Sequence, residues 1–524
     1  MADDDRYPPG PQQRQPSVEP EVYAVYGAEP EVQAYAMARY SRSALSMKES
    51  LAQINAEKAE TFLNTFYFQY GHRSIADLAH LAMAIERLSL LAAIAVVDEQ
   101  RWDGQERSTR YQDFKRGGCF VPDLSAFPGL EQLYRDAVQT LIHEYEALSE
   151  GAWRCLADRT PRPPGMQPDQ YERTLRARAF DVARYLLPLA TTTSLGQIVS
   201  ARTLEAQVAR LLSSEYAEVR RLGEALKRAA NQPAYDVNQQ EWAKFLEKIR
   251  GMDEGLGREL ENQVLKPVRV APTLVKYADA SPYQMETRRE LRRAAAEVMS
   301  GAAIEDAPPV DLLEDEPLEI ELATTLLYEH CHYPYRQIRK AVEALPADIR
   351  QEIMDLGAKH RGERDELLRP FCAGQKFRFD ILMDIGAFRD LHRHRRCIQV
   401  GQGFTTVHGF ETPDEVRSFG VAERYQRAML GAAEASARLA SELPAGSKNS
   451  ADYLIPLGYR KRTLFKMDFA EVVYIAELRT APAGHISYRR IAYQMYQAVA
   501  RRHPGVAGCF RVHNPAEPVD LLRR

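Results

Sequence analysis

Apolar and polar positions along the chain alternate mostly with a helical period. Apolar residues recur at three- and four-residue steps over 74–97, 130–157, 201–228, 320–345, 421–443 and 469–501, so each stretch predicts a helix with one buried face. Strict alternation is rarer. It occurs in Phe377-Arg378-Phe379-Asp380-Ile381, and short β-rich runs at 22–27 and 268–277 open the two halves of the chain. Long helices with a few short strands predict an α+β fold, a small antiparallel sheet packed with long helices. The most apolar run, 88–97, is far shorter than the roughly 20 residues a membrane span needs and predicts a buried helix.

The pattern also repeats. Tyr185-Leu186-Leu187-Pro188-Leu189 returns as Tyr453-Leu454-Ile455-Pro456-Leu457, an offset of 456 − 188 = 268. Glu218-Val219-Arg220-Arg221 is matched by Ser487-Tyr488-Arg489-Arg490 at 489 − 220 = 269. Tyr70-Gly71-His72-Arg73 parallels Tyr333-Pro334-Tyr335-Arg336 at 333 − 70 = 263. Ordered matches at near-constant offset predict two tandem copies of one module, 20–231 and 268–515. A helix-prone linker, 232–267, joins them, and an acidic insert at 304–317 reads as a solvated loop. At 524 residues the chain exceeds the roughly 250–300 residues at which single cores stop growing, which agrees.

Composition narrows the class. Hydrophobic residues form 45% and charged residues 27% of the chain, as in soluble globular proteins. A net charge of −4 offers no global attraction to nucleic acid or an anionic membrane, so neither is an expected partner. Residues 1–19, acidic and then rich in Pro and Gln, read as a disordered tail without a signal-peptide layout. Cysteines 119, 155, 331, 372, 397 and 509 form no CxxC pair, which fits reduced thiols in a cytoplasmic protein. His330-Cys331-His332 has no partner cluster at ligand spacing, so no metal is expected.

Two clusters concentrate chemistry. His392-Arg393-His394-Arg395-Arg396 crowds positive charge, which suits either a bound anion or a solvated helix end. Glu106-Arg107-Ser108-Thr109-Arg110-Tyr111 sets a hydroxyl and a guanidinium within reach of one phosphate, although an exposed loop has the same look. Arg184 precedes the Leu-Leu-Pro188 break. Arg210 and Arg220 lie near three turns apart on a helix, and Arg479 and Arg489 repeat that spacing. Cys397, beside the basic cluster, reads as a packing residue rather than a nucleophile.

Taken together these residues resemble the flavin-dependent thymidylate synthases. Arg393-His394-Arg395 reproduces the opening of that family's signature, and Glu106, Ser108, Arg110 and Tyr111 reproduce its close. Ala38-Arg39-Tyr40-Ser41, His72-Arg73-Ser74 and the Arg184–Pro188 segment match elements around it, and Arg210 and Arg479 match the Arg of the last helix. The resemblance implies dUMP as substrate, FAD as cofactor, and NADPH and methylenetetrahydrofolate as co-substrates. It implies that Glu106, Ser108, Arg110 and Arg184 hold dUMP. Arg393, His394 and Arg395, with Ser41, His72 and Ser74, would then face FAD, while Arg479 or Arg210 polarises the uracil.

Each copy departs from the signature in a complementary way. Asp98-Glu99-Gln100 stands where the first copy should carry Arg-His-Arg, and Asp103 replaces a Ser. Gly403, Phe404 and Thr405 stand at the close of the second copy's signature, and Asp452 replaces its Arg before Leu-Pro. Tyr335-Arg336-Gln337 replaces His-x-Ser, and His485 a frequent Gln. The expectation is a composite site shared between copies in a homodimer acting as a pseudo-tetramer. The alternative is a catalytically inactive or repurposed nucleotide- or flavin-binding descendant.

Overall fold

Two small antiparallel sheets, each wrapped by helices in the same order, make up most of the computed structural model, which describes residues 23, 25, 27–39, 46–54, 56–63, 73–114, 118–276, 278–362 and 367–522. The first sheet has strands β1 (His80–Ser89), β2 (Asp103–Glu106) and β3 (Thr192–Ser200) in the order β1-β3-β2. The second has β4 (Val310–Leu312), β5 (Phe377–Asp384), β6 (Ile398–Gly401) and β7 (Arg460–Met467) in the order β4-β5-β7-β6. Strands β1, β2 and β3 correspond to β5, β6 and β7. In both sheets the first of these strands runs directly into a short helix, Leu90–Val97 or Ile385–Leu391. A long helix follows, Pro128–Arg159 or Ala422–Glu442, then, after a further helix Pro168–Ala183 in the first unit, a 3-10 turn, Arg184–Leu186 or Lys448–Leu454. Each unit closes with a helix pair: Ala201–Leu212 with Ala217–Asn231, or Phe469–Thr480 with Ile486–Arg502.

The repeated Tyr-Leu-x-Pro-Leu segments explain how the units meet. The Leu189 N–H donates to the Ile455 carbonyl at 3.0 Å and, reciprocally, Leu457 donates to Leu187 at 2.9 Å. Ala190 donates to Tyr453 at 2.8 Å and Gly458 to Tyr185 at 2.9 Å. All four groups obey the 268 offset, since 457 − 189 and 455 − 187 both equal 268, as do 458 − 190 and 453 − 185. This is the self-complementary contact of a two-fold interface, built inside one chain. Leu187, Leu189, Leu454 and Leu457 are fully buried around it in one core that draws on both units.

Several expectations require correction. The 74–97 stretch is not one helix: its first part is strand β1, with Leu81, Ile85 and Leu88 buried. Pairing with β3 along its length outweighs helix propensity there. A register shift between Glu86 and Leu88 places Arg87 at φ 60, a bulge conformation. The helices expected at 201–228, 320–345 and 469–501 each divide in two. The breaks fall at the Ser213-Ser214 turn, at Pro334, and at the Ala481-Pro482-Ala483-Gly484 turn. Proline lacks the N–H a continuing helix needs. The run 268–276 is a turn with one bridge from Arg269 to Pro233, not a strand, and much of 22–27 lies outside the described residues. The acidic insert contributes β4, paired to β5. The 263 offset is out of register, because the helix starts following β1 and β5 differ by 385 − 90 = 295. The 232–267 stretch forms the helices Gln239–Met252 and Glu254–Val264. Among the described residues no helix is long and apolar enough to cross a membrane.

A candidate composite active site

Strand β2 ends at Glu106 and delivers Ser108, Thr109 and Arg110 into the seam between units. The helix Ile385–Leu391 ends facing them and delivers Arg389, Asp390, Arg393 and His394. Its N-terminus is fixed by Asp384, whose carboxylate accepts the Ala387 N–H at 2.8 Å. Buried Glu106 accepts from Arg389 and lies 3.6 Å from Arg393, an ion pair between units. Arg110 Nε donates to Asp181 at 2.8 Å, and its other nitrogens reach the Tyr488 hydroxyl at 2.9 Å and the Ala483 carbonyl at 3.0 Å. Arg184, 2% exposed, donates to Asp390 at 3.1 Å, leaving its Nε and Nη2 buried without a partner. Arg389 Nε is likewise unpartnered.

Asp390 is the electrostatic centre of the group. Burial alone would raise its pKa, but Arg184, Arg110, Arg393 and Arg479 around it hold the carboxyl down at about 2. It is therefore a permanent anion among four guanidiniums. Two come from the first unit and two from the second.

His394 links this group to the last helix pair. Burial, with Arg479 beside it, lowers its pKa despite Glu471, so the ring is neutral. Its Nε2 accepts from Arg479 Nε at 2.8 Å, which leaves the ring proton on Nδ1, 3.4 Å from Glu471. Arg479 and Arg110 each lie 5.6 Å from the Tyr488 ring centroid, so one aromatic ring spaces the two cations. His485 caps the helix Ile486–Arg502, its Nδ1 accepting the Ser487 N–H at 3.2 Å and its Nε2 donating to the Asp181 carbonyl at 3.0 Å. Burial lowers its pKa to about 3, so it stays neutral and holds Asp181 in place for Arg110.

The structure thus gathers Glu106, Ser108, Arg110, Arg184, Arg393, His394 and Arg479 in one seam. It sends Arg210 elsewhere: Nε donates to Glu99 at 2.9 Å and Nη2 to the Ala95 carbonyl at 2.8 Å, in a separate cavity. The first unit has acids where Arg393 and His394 stand in the second, and Glu99 captures the cation. Arg395 turns outward to Asp103 at 2.5 Å. Ser41 and His72 lie outside the described residues, as does the side chain of Ser74 on the 3-10 turn Arg73–Asp77. Sequence reasoning missed Asp181, Arg389, Asp390, Glu471 and Tyr488. Arg389 and Asp390 sit next to the basic motif, and that proximity was the available signal. Among the described residues no three His, Cys, Asp or Glu side chains group as a metal site.

Two like units, sharing a seam of ion-paired arginines, define a fused pseudo-dimer. The chain belongs to the thymidylate synthase complementing protein family, whose pattern matches residues 24–233 and 371–505. Among relatives, the UPF0159 protein of Chlamydia pneumoniae is 27% identical over 522 residues, covering 92% of this chain and 90% of its own. The UPF0159 protein of Thermoplasma acidophilum is 25% identical, covering 91% and 94%. Among solved structures, the flavin dependent thymidylate synthase ThyX from Helicobacter pylori, complexed with FAD and dUMP, is 16% identical with a TM-score of 0.26, covering 38% of this chain and 89% of that one. The UMP/dUMP methylase PolB from Streptomyces cacaoi is 14% identical with a TM-score of 0.25, covering 38% and 84%.

Proposed function

We propose that the chain is an FAD-dependent thymidylate synthase with one working site per chain, converting dUMP to dTMP in the cytoplasm as a homodimer. The observation that carries this reading is the meeting, within a single chain, of Glu106, Arg110 and Arg184 from one unit with Arg393, His394 and Arg479 from the other. Each unit alone has only half of the motif.

The overall change moves a one-carbon unit from methylenetetrahydrofolate to C5 of the uracil, releases the C5 proton, and takes two electrons from NADPH. FAD supplies hydride transfer when bound. Arg393 and His394 would hold it, with Arg395 at the outer edge. The buried unpartnered N–H groups of Arg184 and Arg389 lack an anionic acceptor and favour an anionic ligand in this seam. The dUMP phosphate goes to Ser108, Arg110 and Arg184, in competition with Asp181 and Asp390. Arg479, aimed by neutral His394, stabilises negative charge developing on the uracil. That every cation in the seam has a carboxylate nearby favours a second reading, a nucleotide-binding descendant without turnover.

Tritium release from C5-labelled dUMP separates the readings. The proposal expects release by the wild-type protein with NADPH, methylenetetrahydrofolate and FAD, and its loss in both Arg110→Ala and Arg393→Ala, which lie in different units. Release retained by either variant contradicts a shared site. No release by the wild type with dUMP bound supports the second reading.

A further inference from the structure

The pseudo-two-fold axis that builds the composite site also generates its mirror position, and that position is an open cavity of about 780 Å³. The 295 offset places Gly401 where the first unit has Glu106, Gly403 where it has Ser108, and Thr405 where it has Arg110. Loss of those side chains opens space, yet the walls are not inert. Lys461, 6% exposed, projects over Gly401: a Cβ built there would lie 3.3 Å from the Lys461 Nζ. The ammonium donates to the Gln402 carbonyl, and among the described residues no carboxylate lies within ion-pair distance of it. It sits 4.7 Å from the Phe404 ring centroid and 5.3 Å from that of Phe388. His392, 9% exposed, stacks on Phe388 at 4.8 Å, donates through Nδ1 to Gln399 at 2.8 Å and has its Nε2 3.6 Å from the Asp98 carboxylate. Gln402, 1% exposed, has an unpartnered Oε1.

A buried cation with spare donors, two aromatic faces, and a buried acceptor without a donor specify complementary chemistry. We propose that this cavity is a second ligand site, distinct from the composite site, for a small aromatic carboxylate that also carries a hydroxyl or amino donor. The carboxylate pairs with Lys461, the ring packs against Phe388 and Phe404, and the donor reaches Gln402 Oε1. The phosphate-facing residues of the composite site are replaced here: Gly403 stands at the position of Ser108, Thr405 at that of Arg110, and Asp452 at that of Arg184. The site is retuned rather than merely lost.

The test is calorimetric titration of the full chain with 4-hydroxybenzoate as probe, with 4-hydroxybenzamide as its neutral counterpart. Saturable binding of the acid and none of the amide is expected. Affinity should fall about tenfold or more in Lys461→Met, the cost of losing one charge-assisted contact, and should be unchanged in Arg110→Ala. Absence of saturable binding, equal affinity in Lys461→Met, equal binding of the amide, or loss in Arg110→Ala each overturns the proposal. Should Lys461→Met fail to fold, judged by its thermal melt, Phe404→Ala at the partly exposed rim is read in its place by the same criteria.

Discussion

At the scale of single residues, duplication has left pairs of equivalent positions with opposite charge. Asp98 and Arg393 are the clearest case. Burial opposes the charge on Asp98, but Arg369, His392 and Arg210 together hold its carboxyl well below the usual range. A residue that reversed sign therefore found new partners rather than remaining a buried liability. Asp452, at the position of Arg184, is less well served: burial raises its pKa from 3.8 to about 6, with the Tyr216 hydroxyl at 2.6 Å as its main support. Because the folded-state value is raised, its contribution is fully present below about pH 4 and is lost as pH rises through about 6. Asp452→Asn keeps an acceptor for Tyr216 and removes the titration. Stability of the variant relative to wild type should rise by roughly 3 kcal/mol between those limits, read as a shift in urea unfolding. An unchanged difference across that range contradicts it. The motif residues themselves were legible in the sequence because Arg-His-Arg and Ser-x-Arg are contiguous. Asp181, Asp390 and Tyr488 were not, because their relevance comes from a fold that brings distant segments together.

At the scale of elements, the helix starts show how the two units preserve a contact while changing its chemistry. In the first unit Ser89 caps the helix Leu90–Val97 and donates its hydroxyl to Glu218 at 2.6 Å. In the second, Asp384 caps the helix Ile385–Leu391 and accepts from the Ser487 hydroxyl. Acid and alcohol have exchanged places across one hydrogen bond. Introducing Ser89→Asp alone faces two buried carboxylates and should cost several kcal/mol. Adding Glu218→Ser should recover most of that loss, so the double variant melts above the single Asp variant. Additive losses would contradict the swap. The same region shows where pattern reading fails. Residues 80–89 and 90–97 present one continuous apolar signal, but the first part is a strand because β3 pairs with it along its length. Long-range pairing leaves no mark in a local window. The long helices at Pro128–Arg159 and Ala422–Glu442 were legible because their apolar stripe is unbroken and each begins and ends near its expected boundary.

At the scale of the whole molecule, the reciprocal hydrogen bonds between 185–190 and 453–458 turn one chain into a pseudo-dimer with two seams. The axis makes the seams equivalent in backbone, and divergence makes them unequal in side chains. One retains guanidiniums from both units around Asp390; the other has traded its acid, hydroxyl and guanidinium for Gly401, Gly403 and Thr405 around a cavity. That inequality was foreseeable from the complementary losses in the sequence, while the cavity in the second seam was not. The central claim is that a single chain builds one flavin site, and the flavin-to-chain ratio tests it most directly. The purified protein is soaked in FAD, desalted, and its visible absorbance compared with its chain concentration. The account predicts one flavin per chain, and none in Arg393→Ala; two per chain, or none in the wild type, would contradict it.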